Sequence, residues 1–156
     1  MTTPQPDPPP VFPDVEALLV EFLSQRPELE GVDVGVEPAQ PWPPDRPVLI
    51  VTRTGGSFTH YQRLDTALVR VASHANGRTE AHRNARVVRA LLGTLVGSTR
   101  PGARVHDVAE EQGPALEPDE DHPGTPRYTL RQRITVSPGP DADPKSRESR
   151  KAFHSQ

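Results

Sequence analysis

The order of the patterned segments constrains the fold of this chain more than any single residue does. Two segments have the apolar spacing of amphipathic helices, and five shorter ones have the composition or alternation of β-strands. They follow one another as helix, three strands, helix and two strands. This order, α-β-β-β-α-β-β, predicts an α+β fold in which a mostly antiparallel sheet of about four to five strands packs against two helices.

Both helical segments have a clear apolar stripe, whereas their ends are less well marked. In the first helix, Asp14 lies at the N-cap position. Pro27 is expected to end this helix near Gln25. In the second helix, either Asn76 or Thr79 is suitable as the N-cap, and Gly97 is placed to stop it. The predicted buried stripes are Val15, Leu18, Leu19, Phe22 and Leu23 in the first helix and Ala81, Ala85, Val88, Leu92 and Leu95 in the second.

The strand segments are residues 31–37, 48–53, 64–73, 103–110 and 127–136. The first alternates, with three valines on one face, which predicts a half-buried strand. The second is a continuous β-branched run and is expected to be covered on both faces. The Thr54-Gly55-Gly56 sequence is expected to break this strand at a turn that needs positive φ, giving a loop over residues 54–61. Residues 112–126 are predicted to form a second, polar loop.

Composition limits both the size of the fold and the class of protein. Within 156 residues we predict one domain at residues 12–136, between a proline-rich arm at 1–11 and a tail at 137–156 that are both disordered. The net charge of −3 does not favour non-specific nucleic-acid binding, and the lack of cysteine excludes disulfides. No apolar run reaches the ~20 residues of a membrane helix, and the first ten residues are not a signal peptide, so we expect a cytoplasmic location without a membrane partner.

The chain contains few residues in patterns that point to catalysis. The acidic sequence at 119–122 is rich in oxygen ligands but lacks the spacing of a calcium loop. Ser57, His60 and Asp65 are close in sequence, yet no serine lies in a Gly-x-Ser-x-Gly elbow. We therefore expect no enzyme activity, no catalytic residues, no metal and no cofactor, and keep a small hydrolase or metal enzyme as the minor alternative.

Basic side chains and one tryptophan are the main candidates for contacts with a partner. Three arginines share one face of the last strand, and others share one face of the second helix, where a solvated outer face is the more ordinary interpretation. The single tryptophan either caps the edge of the core or contacts a neighbouring subunit. The candidate interface residues are Trp42, Arg53, Gly55, Gly56, Tyr61, Arg78, Arg86, Arg89, Arg127, Arg131 and Arg133.

Four local strings carry a resemblance to a known family. They are Phe12-Pro13-Asp14-Val15-Glu16-Ala17-Leu18, Arg46-Pro47-Val48-Leu49-Ile50-Val51-Thr52-Arg53-Thr54-Gly55-Gly56, Glu80-Ala81-His82 and Pro126-Arg127-Tyr128-Thr129-Leu130. In this order they resemble tail terminator (tail-completion, minor tail) proteins of long-tailed bacteriophages, of the lambda-like type, from phages and prophages of actinobacteria. The likeness covers residues 12–136.

The resemblance implies a structural role in the virion, at the tail–neck junction, after assembly in the host cytoplasm. Such a protein forms a homo-oligomeric ring, expected to be a hexamer, that caps the tail tube protein and receives the head-side connector or stopper. DNA would pass through the ring without sequence-specific binding. Open sheet edges could continue their pairing into the next subunit. Another neck or head-completion protein, or a stand-alone binding module, is the alternative. Charge reversal of Arg131 and Arg133 is expected to impair the ring while leaving the monomer folded.

Overall fold

A computed structural model describes residue 9 and residues 11–38, 40–59, 61 and 63–139. The helices are α1 (Val15–Ser24) and α2 (Arg78–Gly93), and the strands are β1 (Asp33–Gly35), β2 (Val48–Thr59), β3 (Leu64–His74), β4 (Thr99–Arg100), β5 (Ala103–Leu116) and β6 (Arg127–Pro138). Most of the predicted N-terminal arm, and the predicted tail beyond residue 139, lie outside the described residues. The last strand continues two residues into the segment predicted as tail.

The strands form one mixed sheet in the order β1-β2-β3-β6-β5-β4. The α+β class, the two helices and the element order are as predicted, but the described sheet has six strands rather than four or five. The added strand, β4, pairs with only two residues of β5, which is too short to leave an alternating pattern in the sequence. The pairing of β1 with β2 is parallel, and the other pairings are antiparallel.

Helix α1 begins where its sequence predicts. The Asp14 carboxylate accepts a hydrogen bond of 3.1 Å from the Ala17 backbone N–H and so satisfies one free amide of the first turn. All five residues of the predicted stripe are buried. The helix ends at Ser24, before Pro27, which opens a short 3₁₀ turn. In the described part of the chain, no helix is long and apolar enough to cross a membrane.

Helix α2 has the predicted buried stripe but different ends. Its N-cap is Gly77, which makes no side-chain capping bond, so Asn76 and Thr79 are both wrong as caps. A glycine N-cap leaves the first amides to water and costs little relative to a capping side chain. The helix stops at Gly93, whereas Gly97 lies in the following turn with φ of +79°. The buried stripe residues are Ala81, Ala85, Val88 and Leu92, with Leu95 buried just beyond the helix.

Both helices pack on one face of the sheet and form the main core with it. That core includes Leu49 and Val51 of β2, Val69 and Val71 of β3 and Leu130 and Ile134 of β6. The opposite sheet face carries Thr52, Leu68, Arg70, Arg131 and Arg133, and we call it the open face. Near one end of the open face, Val48, Ile50 and Ala72 form a second buried cluster. The start of β2 is therefore buried on both faces, as predicted.

The first strand and both predicted loops differ from expectation. Strand β1 has three residues instead of seven, and Val36 is exposed rather than half-buried. The Gly55-Gly56 pair does not end β2, because a bulge between Arg53 and Gly55 lets the strand continue to Thr59. Strand β5 likewise continues to Leu116, so the polar loop begins at residue 117 instead of 112.

Candidate assembly interface

The three candidate arginines of β6 lie on the open face, as their alternation predicts. Arg127 is opposite His74 of β3, Arg131 is opposite Arg70, and Arg133 is opposite Leu68. Strand β5 flanks them on the other side. The open face thus brings basic side chains of β6 against acidic and amide side chains of β5 and of the loop that follows it.

Arg131 is held by groups of its own chain. Its guanidinium donates to the Gln112 side-chain oxygen and to both carboxylate oxygens of Glu117, at 3.3 and 3.4 Å. The Thr129 hydroxyl also donates to Glu117. The bond from the Thr129 hydroxyl is the largest cause that lowers the pKa of the Glu117 carboxyl, and the bond from the Arg131 guanidinium is the next largest. Both stabilise the carboxylate anion. Arg131 therefore anchors the end of β5 and the start of the loop.

The other two β6 arginines are also engaged within the chain. Arg127 donates to the backbone carbonyls of Glu117 at 2.7 Å and Pro118 at 3.3 Å. Arg133 forms an ion pair with Glu111 of β5. Reversing Arg131 and Arg133 would therefore break two partly exposed ion pairs within the chain besides changing the surface charge.

Among the arginines of the central strands β3 and β6 on the open face, Arg70 lacks an acidic partner within the described residues. It lies on β3 directly opposite Arg131. Its Nε is buried and has no hydrogen-bond partner in the described part of the chain. Sequence reasoning placed Arg70 on this strand but did not select it, because its special position depends on the β3–β6 register.

The outer side of α2 presents its candidate arginines unequally. The Arg78 guanidinium donates to the Tyr128 hydroxyl at 2.8 Å, and Arg89 pairs with Glu110 of β5 at 2.7 Å. Arg86 is exposed, and no carboxylate of the described residues lies within ion-pair distance. Of these three candidates, Arg86 is the one whose guanidinium is available to another molecule.

Arg53 joins three elements instead of projecting into solvent. Its guanidinium donates two bonds of 2.7 Å to the Asp65 carboxylate, which is only 5% exposed. Its backbone N–H donates to the Glu16 carboxylate of α1 at 2.7 Å. The bond to Asp65 is the main cause that raises the pKa of Arg53. This clasp ties α1, β2 and β3 together.

Gly56 has the positive φ that was predicted, although in a bulged strand and not in a turn. Its φ is +116°, and a Cβ there would lie 2.0 Å from the Thr66 carbonyl oxygen. Gly55 has ordinary space, with Leu68 at 3.8 Å from the corresponding position. Tyr61, in the β2–β3 connection, is fully exposed. His60 lies outside the described residues, so the Ser57–His60–Asp65 hypothesis is not tested, but Asp65 is already bound to Arg53.

Trp42 packs against two histidines at the end of the open face. Its ring centroid lies 4.9 Å from that of His74 and 4.2 Å from that of His122. Asp119 accepts a bond of 2.9 Å from His122, which is the main cause that lowers the pKa of this carboxyl. Burial lowers the pKa of His74 to about 4. Within the described residues, no group of three histidine or carboxylate side chains is arranged to hold a metal ion.

Comparison with known protein families gives a match. A family model described as phage tail termination protein matches residues 11–122 of the chain. The matched region contains both helices and β1 to β5, and it ends before β6, where three of the candidate arginines lie. A search of curated proteins gives no match.

Proposed function

This chain belongs to the phage tail termination protein family, and we propose that it ends the growth of a tail tube by closing as a ring on the end of the tube. The match over residues 11–122 is the observation that carries the proposal. A structural role in the phage tail follows from the family. The further steps are our proposal: a hexameric ring caps the tube protein on one side, receives the head-side connector on the other, lets DNA pass through, and catalyses no reaction.

The edges of the sheet bear on how the subunits would join. Strand β5 has register irregularities and carries Pro114 on its edge, both of which oppose pairing with another strand. On β2, the Arg53 N–H is already bound to Glu16 of α1. These features disfavour one continuous sheet through the ring. We propose instead that side chains of the open face and of the outer side of α2 supply the contacts.

Electron microscopy of negatively stained samples tests the proposal. The chain is mixed with its tail-tube subunit, with and without the tape-measure protein. Rings, or tubes of uniform length with a terminal cap, are the expected result. Tubes that grow uncapped while the chain stays unbound would contradict the proposal and favour a head-side adaptor.

A pair of charge-reversal variants tests the contact surface without disturbing internal ion pairs. Arg86→Glu changes an exposed α2 residue and is expected to reduce capping or ring formation. Arg63→Glu makes the same change at an exposed residue of the β2–β3 connection that has no ion pair in the described part and lies on neither the open face nor α2. Equal capping by the two variants would remove α2 from the proposed interface.

A further inference from the structure

Arg70 lies at the centre of the open face with an incomplete set of partners. Strand β3 is flanked by β2 and β6, so its middle is far from any sheet edge. Directly across lies Arg131, and like charges opposite one another in a sheet repel. Arg131 is neutralised by Glu117, but the buried Nε of Arg70 has no acceptor among the described residues. The terminal nitrogens of this guanidinium are not among the buried atoms, so an anion from outside the described fold could bind there and compensate the charge.

The charge balance of the open face indicates what kind of anion fits. Four arginines lie there on the two central strands β3 and β6, and three acidic side chains, Glu111, Glu117 and Asp119, pair with three of them. Of these four, Arg70 is left without a carboxylate, while Arg104 and Asp107 of β5 are exposed on the same face. Nucleic acid binds through a series of basic groups along its phosphates, so one unpaired arginine among paired ones suits the carboxylates of a protein better.

The chain itself presents unpaired carboxylates in the loop between β5 and β6. Glu120 and Asp121 are exposed, and no cation of the described residues lies within ion-pair distance of either. The loop around them is ordered by bonds from the Asp121 N–H to the Asp119 carboxylate at 3.0 Å and from the His122 N–H to the Asp119 carbonyl at 3.1 Å. The loop therefore holds its two exposed carboxylates in a defined position.

These two groups do not meet within one chain. Asp119 lies against His74 and Arg127, four residues along β3 from Arg70, a distance of about 13 Å at the usual rise of a strand. The unpaired arginine and the loop with the unpaired carboxylates therefore form two patches of the open face, one at its middle and one at its end. A contact between two different patches of identical subunits can be repeated from one subunit to the next, and a head-to-tail series of such contacts closes a ring when its rotation closes.

We propose that Arg70 of each subunit binds the Glu120 and Asp121 carboxylates of the next subunit in the ring. The proposal rests on the ring function above and names a contact that builds the ring. The occupant of the open face around Arg70 is thus the β5–β6 loop of a second copy. The partner carboxylates would supply the acceptors that Arg70 lacks and would offset its repulsion by Arg131.

A charge-swap cycle tests the contact in the full chain. The variants are Arg70→Glu, the double change Glu120→Arg with Asp121→Arg, and the three changes combined. Subunit association is measured by sedimentation with and without tube subunit, and capping by microscopy. Each reversal alone should weaken association at least tenfold, and the combined variant should recover most of the loss. Arg63→Glu, at an exposed residue of the β2–β3 connection, should leave association unchanged.

A second variant and a folding check keep the test decisive. Arg70→Met keeps the apolar stem and removes the charge, so it should weaken association even if Arg70→Glu folds poorly. Circular dichroism and urea unfolding establish that each variant is folded. Rings of wild-type strength from folded Arg70→Met, or no recovery in the combined variant, would overturn the contact while the capping function stands. A wild-type chain that neither associates nor caps tubes would overturn both proposals.

Discussion

Replacement of Gly56 by alanine is the sharpest test of the fold. A Cβ at this position would lie 2.0 Å from the Thr66 carbonyl oxygen and 3.0 Å from the Ala67 Cα, both atoms of the β3 backbone. Neither backbone atom can move without shifting β2 relative to β3. Gly55 is the matched control in the same strand, because its backbone is not left-handed and the nearest atom to its Cβ position, in Leu68, is at an ordinary 3.8 Å.

The expected loss of stability has two parts. Holding an alanine at positive φ costs about 1–3 kcal/mol, and forcing the two strands apart costs about 1–3 kcal/mol more. The Gly56→Ala variant should therefore lose about 3 kcal/mol of the free energy of unfolding. This is a large fraction of the roughly 5–15 kcal/mol that holds a small domain folded. Gly55→Ala should change it by less than about 1 kcal/mol.

Urea unfolding followed by circular dichroism measures the difference. With a slope of about 2 kcal/mol per M, the midpoint of Gly56→Ala should fall by about 1.5 M, while that of Gly55→Ala stays near wild type. The slope should be the same in all three proteins. Equal midpoints for the two variants would mean that β2 and β3 are not paired with the bulged register described here.

Two further predictions concern the buried ionisable side chains Asp65 and His74. Asp65→Asn leaves the Arg53 guanidinium without its carboxylate and should lower the free energy of unfolding by about 2 kcal/mol, a loss limited by the partial exposure of Arg53 to water. The control Asp107→Asn, at an exposed site, should leave the free energy of unfolding unchanged. Equal losses in the two variants would contradict the clasp. The pKa of His74 is lowered to about 4, so between pH 6.5 and 4 the unfolded chain takes up a proton that the folded chain does not. As the pH is lowered through this range, the free energy of unfolding should therefore decrease by up to about 3 kcal/mol. Urea unfolding from pH 7 to 4.5 should show that the free energy of unfolding depends less on pH in His74→Gln than in wild type or His106→Gln. The same pH dependence in His74→Gln as in wild type would contradict this prediction.

Local pattern was sufficient for the parts of this chain whose burial repeats with the period of a helix or strand. The stripe of α1 and its Asp14 cap lie within a few residues of one another, so they can be recognised without knowing the rest of the fold. The same holds for Val48 to Val51, whose unbroken apolar run predicted burial on both faces. The family resemblance, built on such strings, agrees with the family match.

Local pattern failed where a strand is polar or irregular. Residues 112–116 were predicted as loop because they contain Gly113 and Pro114, yet they pair with β6 along an edge that tolerates bulges. The Gly55-Gly56 pair was predicted as a turn, because some bulges and some turns share the preference for a glycine at positive φ. Strand β4 was not predicted because its two residues are too few to show the alternating pattern of a strand.

The roles of the arginines depend on the tertiary structure. Alternation placed Arg131 and Arg133 on one face, but an ion pair depends on which carboxylate lies across the sheet, and that follows from register. From the sequence, Arg53 was predicted as a candidate interface residue. The pairing of β2 with β3 instead brings its guanidinium against the Asp65 carboxylate. Arg70 becomes notable only because β3 sets it opposite Arg131. Periodicity records which side chains are buried; the partners of a charge are set by residues distant in the chain, and only the folded sheet brings them together.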